Sequence, residues 1–286
     1  MDVVTREYFN FSRTDSIKIV PFFDIHSGVK PCREDLLKAR VNEVLENGWY
    51  WIGGGDYCDF VNRSDPRYSP HILADWFTVS QTADIAGAQV HHLNEILKPI
   101  APQCLAMIMG NHETAIHKHY ERSVFSDIVA SVKTHGKFDS EDKLALGYGG
   151  WLILKFYQTK IGERKGGTIT IVINLHHGFT GGRLAGAKAL NMQKWLWQHE
   201  CDIALQGHSH NTEIQIEQVE RVDRGGNFKV EKRRGAFCGT YLDTTMPGID
   251  TYSSISGYPP MPVGGIEIDL TPRSEVERQQ IKISSW

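Results

Sequence analysis

Apolar stretches rich in β-branched and aromatic residues recur along the chain, and residues at helical spacing fall between them. That alternation builds βα units around a sheet. The strand-like runs are 17–23, 49–52, 104–109, 151–157, 169–175 and 203–205. Leu37, Val41, Val44 and Leu45 predict one helix, and Ala86, Val90, Leu93 and Leu97 a second. A third is predicted where Ile116, Tyr120, Val124 and Ile128 follow at i, i+4. A fourth, around Met192, Trp195 and Leu196, begins after the glycine-rich segment 178–186, beside a candidate anion site. From Thr212 onward, short strands are expected between turn residues such as Asp223-Arg224-Gly225-Gly226 and Pro259-Pro260. They should pair onto a second sheet, with no helix among them.

With 286 residues, 41% of them hydrophobic, the chain can bury a full core, and a single α/β domain over 1–286 is expected. The net charge of -3 provides no global basic field for a nucleic-acid backbone. Five cysteines, Cys32, Cys58, Cys104, Cys201 and Cys238, form no C-x-x-C pair, which predicts reduced thiols in the cytoplasm. The first thirty residues lack the pattern of a secretory leader, and no stretch reaches the roughly 18 apolar residues of a membrane span. A soluble protein without a membrane partner is expected. Thirteen histidines are many for this length, and their clustering points to metal chemistry.

Ligands of open α/β sheets bind beyond the carboxyl ends of strands. Five of the apolar runs are followed there by metal-ligand residue types. They lead into Asp24-Ile25-His26-Ser27-Gly28, Gly55-Asp56-Tyr57-Cys58-Asp59, Gly110-Asn111-His112-Glu113, His176-His177-Gly178 and Gly207-His208-Ser209-His210. Carboxylate, amide and imidazole donors without thiolate suit divalent ions such as Mn, Zn, Fe, Ni or Co. Ligands one residue apart, as in Asp24/His26 and His208/His210, require sharp backbone turns, which Gly28 and Gly207 are expected to permit.

In these five segments the chain resembles the calcineurin-like metallophosphoesterases, whose pattern is D-x-H, G-D-x-x-D, G-N-H-[DE], a lone His, and G-H-x-H. All five elements occur in that order between Asp24 and His210. The resemblance implies a two-sheet β-sandwich flanked by helices, in αββα layers. It also implies two divalent metal ions, one held by Asp24, His26, Asp56 and His210. The other would be held by Asp56, Asn111, His208 and a histidine of the fourth segment, with Asp56 bridging. Of that pair His176 is the expected ligand, because the family ligand usually ends the strand, which leaves His177 for the substrate side. His112 matches the family's non-ligand histidine, which protonates the leaving oxygen or steadies the charged phosphorane. Glu113 and Asp59 are expected to support these groups through hydrogen bonds.

The implied reaction is phosphate-ester hydrolysis by a hydroxide held between the ions. Protein phosphatases of this family carry R-G after the second motif and an Arg before G-N-H-E. Here Phe60 and Val61 follow Asp59, and Met109 precedes Gly110. A small phosphodiester or nucleotide is therefore the expected substrate, with Arg183 helping to hold it. The segment 178–186 also resembles a loop of relatives labelled DNA repair exonucleases, so a nucleic-acid end is the alternative. A phosphomonoesterase is the third reading, and a protein-binding scaffold, the last, would have lost ligands, whereas no ligand position is eroded here.

Overall fold

A computed structural model describes residues 1–12, 14–61, 65, 68–158, 167–179, 184–249, 251–272 and 281–286. The first half of the chain forms β1 (Asp2–Phe11), β2 (Ile17–Phe22), α1 (Glu34–Asn47), β3 (Tyr50–Gly53), α2 (Ile85–Leu97), β4 (Cys104–Met107), α3 (Asn111–Tyr120) and α4 (Val124–Gly136). The second half forms β5 (Gly149–Gln158), β6 (Thr168–His176), α5 (Ala185–Gln198), β7 (Ile203–Gln206), β8 (Thr212–Val222), β9 (Phe228–Thr240), the single turn α6 (Tyr252–Ile255), β10 (Gly264–Leu270) and β11 (Ile281–Ser285).

Hydrogen bonding connects the strands in the order β1-β5-β6-β7-β9-β10-β2-β3-β4, with β8 on β9 and β11 on β10. The path bends where β9 meets β10, since those two strands share only the pairs Thr240/Gly264 and Gly239/Gly265. Gly239 has φ +80°, and a Cβ there would stand 2.0 Å from the Gly264 carbonyl oxygen. No side chain fits so close a crossing.

Two sheets result, and their inner faces share one core. Leu152, Leu154 and Phe156 of β5 and Ile171 and Ile173 of β6 meet Ile19, Ile52, Ile266 and Ile268 of the other sheet. Along β5 these buried residues alternate with partly exposed ones, the period-2 signature of a strand covered more tightly on one face. Helices α1, α2 and α4 cover the outside of β2-β3-β4 through Leu37, Val41, Leu93, Leu97 and Ile128. Met192 and Leu196 of α5 cover the other sheet against Ala204 and Phe237. Each such aliphatic side chain contributes roughly 1.5–3 kcal/mol when fully buried. The layers run helix, sheet, sheet, helix, as the sequence implied.

Three expectations need correction. The third predicted helix is two, because Glu121 takes a left-handed conformation (φ 54°) and ends α3 before α4 begins. Strands β8 and β9 are long rather than short, and they extend the sheet of β5–β7, while β10 and β11 join β2. The C-terminal part thus contributes to both sheets and stitches them together, and it includes one short helical turn. Among the described residues no helix is long and apolar enough to cross a membrane. All five cysteines are buried and free.

Candidate metal centre

The carboxyl ends of β2, β3 and β4 from one sheet and of β6 and β7 from the other open onto one cleft, and Asp24 ties its two sides together. Its carboxylate accepts the His208 N–H (2.9 and 3.0 Å to the two oxygens). Its carbonyl accepts from the Tyr241 N–H (3.0 Å) and the Thr240 hydroxyl (2.9 Å). The Asp24 N–H in turn donates to the Gly55 carbonyl and the His26 N–H to that of Asp56.

The turns between neighbouring ligand residues are made by those residues themselves. Asp24, His26, Asp56, His208 and His210 all have φ between 48° and 65°. Such conformations cost on the order of 1–3 kcal/mol each in non-glycine residues, although Asp and His tolerate them better than most. Gly28 (φ +97°) turns as expected. Gly207 supplies space instead, because a Cβ there would lie 2.5 Å from Asp24 Oδ2. Gly110 does the same for Asp56, whose Oδ1 would stand 2.1 Å from an added Cβ.

These turns assemble two adjoining clusters. Asp24, His26 and His210 form one, with His210 Nε2 3.4 Å from Asp24 Oδ1 and 3.1 Å from His26 Nε2. Asp56, His177 and His208 form the other, where His177 Nε2 lies 3.2 Å from Asp56 Oδ2. Asn111 Oδ1 closes the second cluster at 3.0 Å from His177 Nε2 and 2.7 Å from His208 Nδ1. Asp56 stands between the two, since its Oδ2 is also 3.9 Å from His26 Nε2.

The donor set fits divalent ions. The rings of His26 and His177 have their outer nitrogens engaged, leaving Nε2 for the cluster: His177 Nδ1–H donates to the Gly54 carbonyl (2.8 Å), and His26 Nδ1 faces Asp59 Oδ1 (3.3 Å). That arrangement orients ligand imidazoles in metal sites. The electrostatics agree. Burial opposes charge on Asp24 and Asp56, yet His210 beside Asp24, and His177 and His112 beside Asp56, hold both carboxyls below the usual range. Burial likewise opposes charge on His177, but Asp56 and Asp24 outweigh it and push the imidazole up to about 10. Two buried carboxylates that favour the charged imidazole also favour a divalent ion, which would compete with the proton for the same lone pair.

His177, not His176, is therefore the fourth-segment residue in the cluster, and it is fully buried rather than open to substrate. The reason is strand alternation. Leu175 points into the sandwich core, so His176 points outward, with its ring 4.7 Å from that of Trp195 and its Nδ1 accepting the Gly178 N–H (2.9 Å). Burial, then the neighbouring His177, lowers the His176 pKa to about 4, so the ring is neutral near pH 7. The chain leaves β6 at His177 and turns at Gly178 (φ +110°), which swings His177 into the cleft.

His112 sits at the edge of the cage. Its Nδ1 bonds to the Asp59 carbonyl oxygen, its ring lies edge-on to His26 at 4.8 Å, and its Nε2 is 3.9 Å from Asp56 Oδ2. Asp59 thus supports His26 with its side chain and His112 with its backbone. Glu113 holds backbone rather than any histidine: Oε2 accepts the N–H groups of Asp56 (2.9 Å) and Gly110 (2.7 Å), and Oε1 that of Tyr57 (2.8 Å). Burial and then Asp56 raise its pKa to about 7. A glutamine can accept at one oxygen only, so Glu113→Gln leaves at least one buried amide facing a donor. Loss of about 1–3 kcal/mol in urea unfolding is expected, together with weaker metal retention. An unchanged unfolding midpoint would show these bonds to be dispensable. Arg183 lies outside the described residues.

Sequence reasoning overlooked Gln89, which is fully buried. Its Oε1 accepts the Phe60 N–H (3.0 Å), and its side chain fills the space beside Gly28, bracing the first two ligand loops together. The available signal was a polar residue on the buried face of an amphipathic helix, where it demands a partner.

A profile of the calcineurin-like phosphoesterases matches residues 24–212, and the chain belongs to that family of metal-dependent phosphoester hydrolases. Among solved structures it is similar to Vps29 from Entamoeba histolytica in complex with zinc, at 11% identity and TM-score 0.36, over 95% of this chain and 98% of that one. It is also similar to a metallophosphoesterase from Sphaerobacter thermophilus (10%, 0.36, 94% and 88%). GAP50, described as the anchor in the inner membrane complex of Plasmodium, aligns at 11% identity and TM-score 0.41 over 89% and 81%. No curated protein matches.

Proposed function

We propose that the protein hydrolyses phosphodiesters at this cage. Asp24, His26, Asp56 and His210 would hold one divalent ion, and Asp56, Asn111, His177 and His208 a second. Such ions supply Lewis-acid polarisation of the phosphoryl oxygens and activation of water. Met109 and Phe60 carry the preference for diesters. They occupy the places where phosphatases of the family carry gripping arginines, and Phe60 is buried while Met109 packs against the apolar core. Two ions and two carboxylates would leave a formal charge of about +2, enough to hold the single charge of a diester without the arginines that grip the second charge of a monoester in the family's phosphatases. The contact of His112 Nδ1 with the Asp59 carbonyl leaves Nε2 on the side of Asp56, which supports a role for this ring at the leaving group. As the imidazolium, with a proton on each nitrogen, it would give its Nε2 proton to the departing oxygen and be left neutral, with Nδ1–H still on the Asp59 carbonyl.

The test compares kcat/KM for bis-p-nitrophenyl phosphate and p-nitrophenyl phosphate with added manganese, before and after chelation. The diester should be preferred and both activities lost to the chelator. A monoester preference would overturn the substrate assignment, and full activity in a metal-free sample the whole reading.

A further inference from the structure

The ring of His176, turned away from the cage, belongs to a line of aromatic side chains that leads out of it. Tyr148 stands edge-on to His177 (5.5 Å, 80°) and to His176 (5.3 Å, 71°). His176 then meets Phe179 edge-on at 6.3 Å, and Phe179 lies 6.1 Å from Trp195. This bed is fixed from behind. The Trp195 indole N–H donates to Asn174 Oδ1 (2.7 Å), and the indole stacks on His199 at 4.0 Å.

The last ring of the line is not covered. Phe179 is 49% exposed, although it follows His177 by only two residues. The intervening Gly178 runs against the cage, since a Cβ there would lie 2.7 Å from the Gly207 carbonyl and 3.0 Å from His208 Cβ. A phenyl ring is thus presented to solvent at the rim of an anion-binding site, on rigid support. Two turns before Trp195, Lys188 of α5 reaches the same rim, where its ammonium donates to the Ser209 carbonyl (3.2 Å) between two ligand histidines. An acyl chain would need a continuous aliphatic groove, and among the described residues the side chains set against Phe179 are the rings of His176 and Trp195. A flat ring on an ester of the bound phosphate matches this wall, and base-on-aromatic stacking is tolerant of base identity.

We propose that Phe179 is a stacking platform for a nucleobase, so that the esters taken by this site are nucleotidyl esters. The inference rests on the phosphodiesterase reading above and adds the substrate class to it.

The experiment compares thymidine 5′-(p-nitrophenyl phosphate) with the same ester of base-less deoxyribose. Their ratio of kcat/KM isolates the base, because the leaving group and sugar are common. The wild-type ratio should be roughly 5- to 100-fold in favour of the base. Phe179→Ala should bring it close to one, mainly through KM, Phe179→Trp should retain it, and Phe179→Leu should not. A ratio unaffected by Phe179→Ala, or restored by Leu, overturns the proposal. If only monoesters are hydrolysed, the phosphodiesterase reading falls separately. The base is then tested with thymidine 5′-phosphate against deoxyribose 5-phosphate, and the same variants decide.

Discussion

Asp56→Asn is expected to lower kcat/KM by at least about 10³-fold and to reduce bound metal from the proposed two ions per chain to less than one. The substitution keeps the size of the side chain, so the backbone bond from Asp56 to Glu113 and the Oδ1 contact to the His112 N–H can persist. What changes is the atom at the Oδ2 position, 3.2 Å from His177 Nε2 and 3.9 Å from both His26 and His112 Nε2. An amide nitrogen there has no lone pair to give. Both clusters converge on that position, so both lose a ligand and the anionic charge that attracts their cations. Loss of a group merely supporting a metal ligand usually costs 10–100-fold, and a shared ligand should exceed that. Metal analysis of the purified variant and its activity under saturating manganese provide the check. Two retained ions with near-normal turnover would mean that Asp56 does not bridge.

Much of this centre was legible because its chemistry is written in short segments. Asp24, His26, Asp56, Asn111, His208 and His210 come together as their motifs imply, since each motif ends a strand and the ends of β2-β3-β4 in one sheet and of β7 in the other open onto one cleft. The choice between His176 and His177 was not legible in the same way. Adjacent histidines at a strand end differ only in which face they take, and that depends on the strand's register against the core, set by Leu175 pointing inward. The break at Glu121 was hidden for a related reason. Ile116, Val124 and Ile128 all reach one core, so their helical spacing persists across a turn that separates two helices. Strand β1 gave little signal, because its only buried residues are Val4 and Phe11, while Phe9 is 67% exposed. Backbone pairing to β5, which no side-chain pattern records, holds it in place.

The second large effect is expected from His112→Ala, a loss in kcat of roughly 10²- to 10⁴-fold with metal content near two. His112 Nδ1 bonds to the Asp59 carbonyl oxygen, and its Nε2 lies 3.9 Å from Asp56 Oδ2. His26 and Asp59 lie close enough to form a third cluster with His112, and that makes the rival reading concrete. If His112 were a ligand, alanine would empty a site, and metal content and activity would fall together. If it is the proton donor, metal stays and the loss depends on the departing oxygen. An alkoxide needs a proton to leave, whereas p-nitrophenolate departs readily without one. The penalty for His112→Ala should therefore shrink by at least tenfold between a nucleoside alkyl diester and its nitrophenyl counterpart. An equal penalty on both, with metal retained, would point to electrostatic stabilisation of the phosphorane, because charge on the phosphoryl oxygens develops whichever group departs.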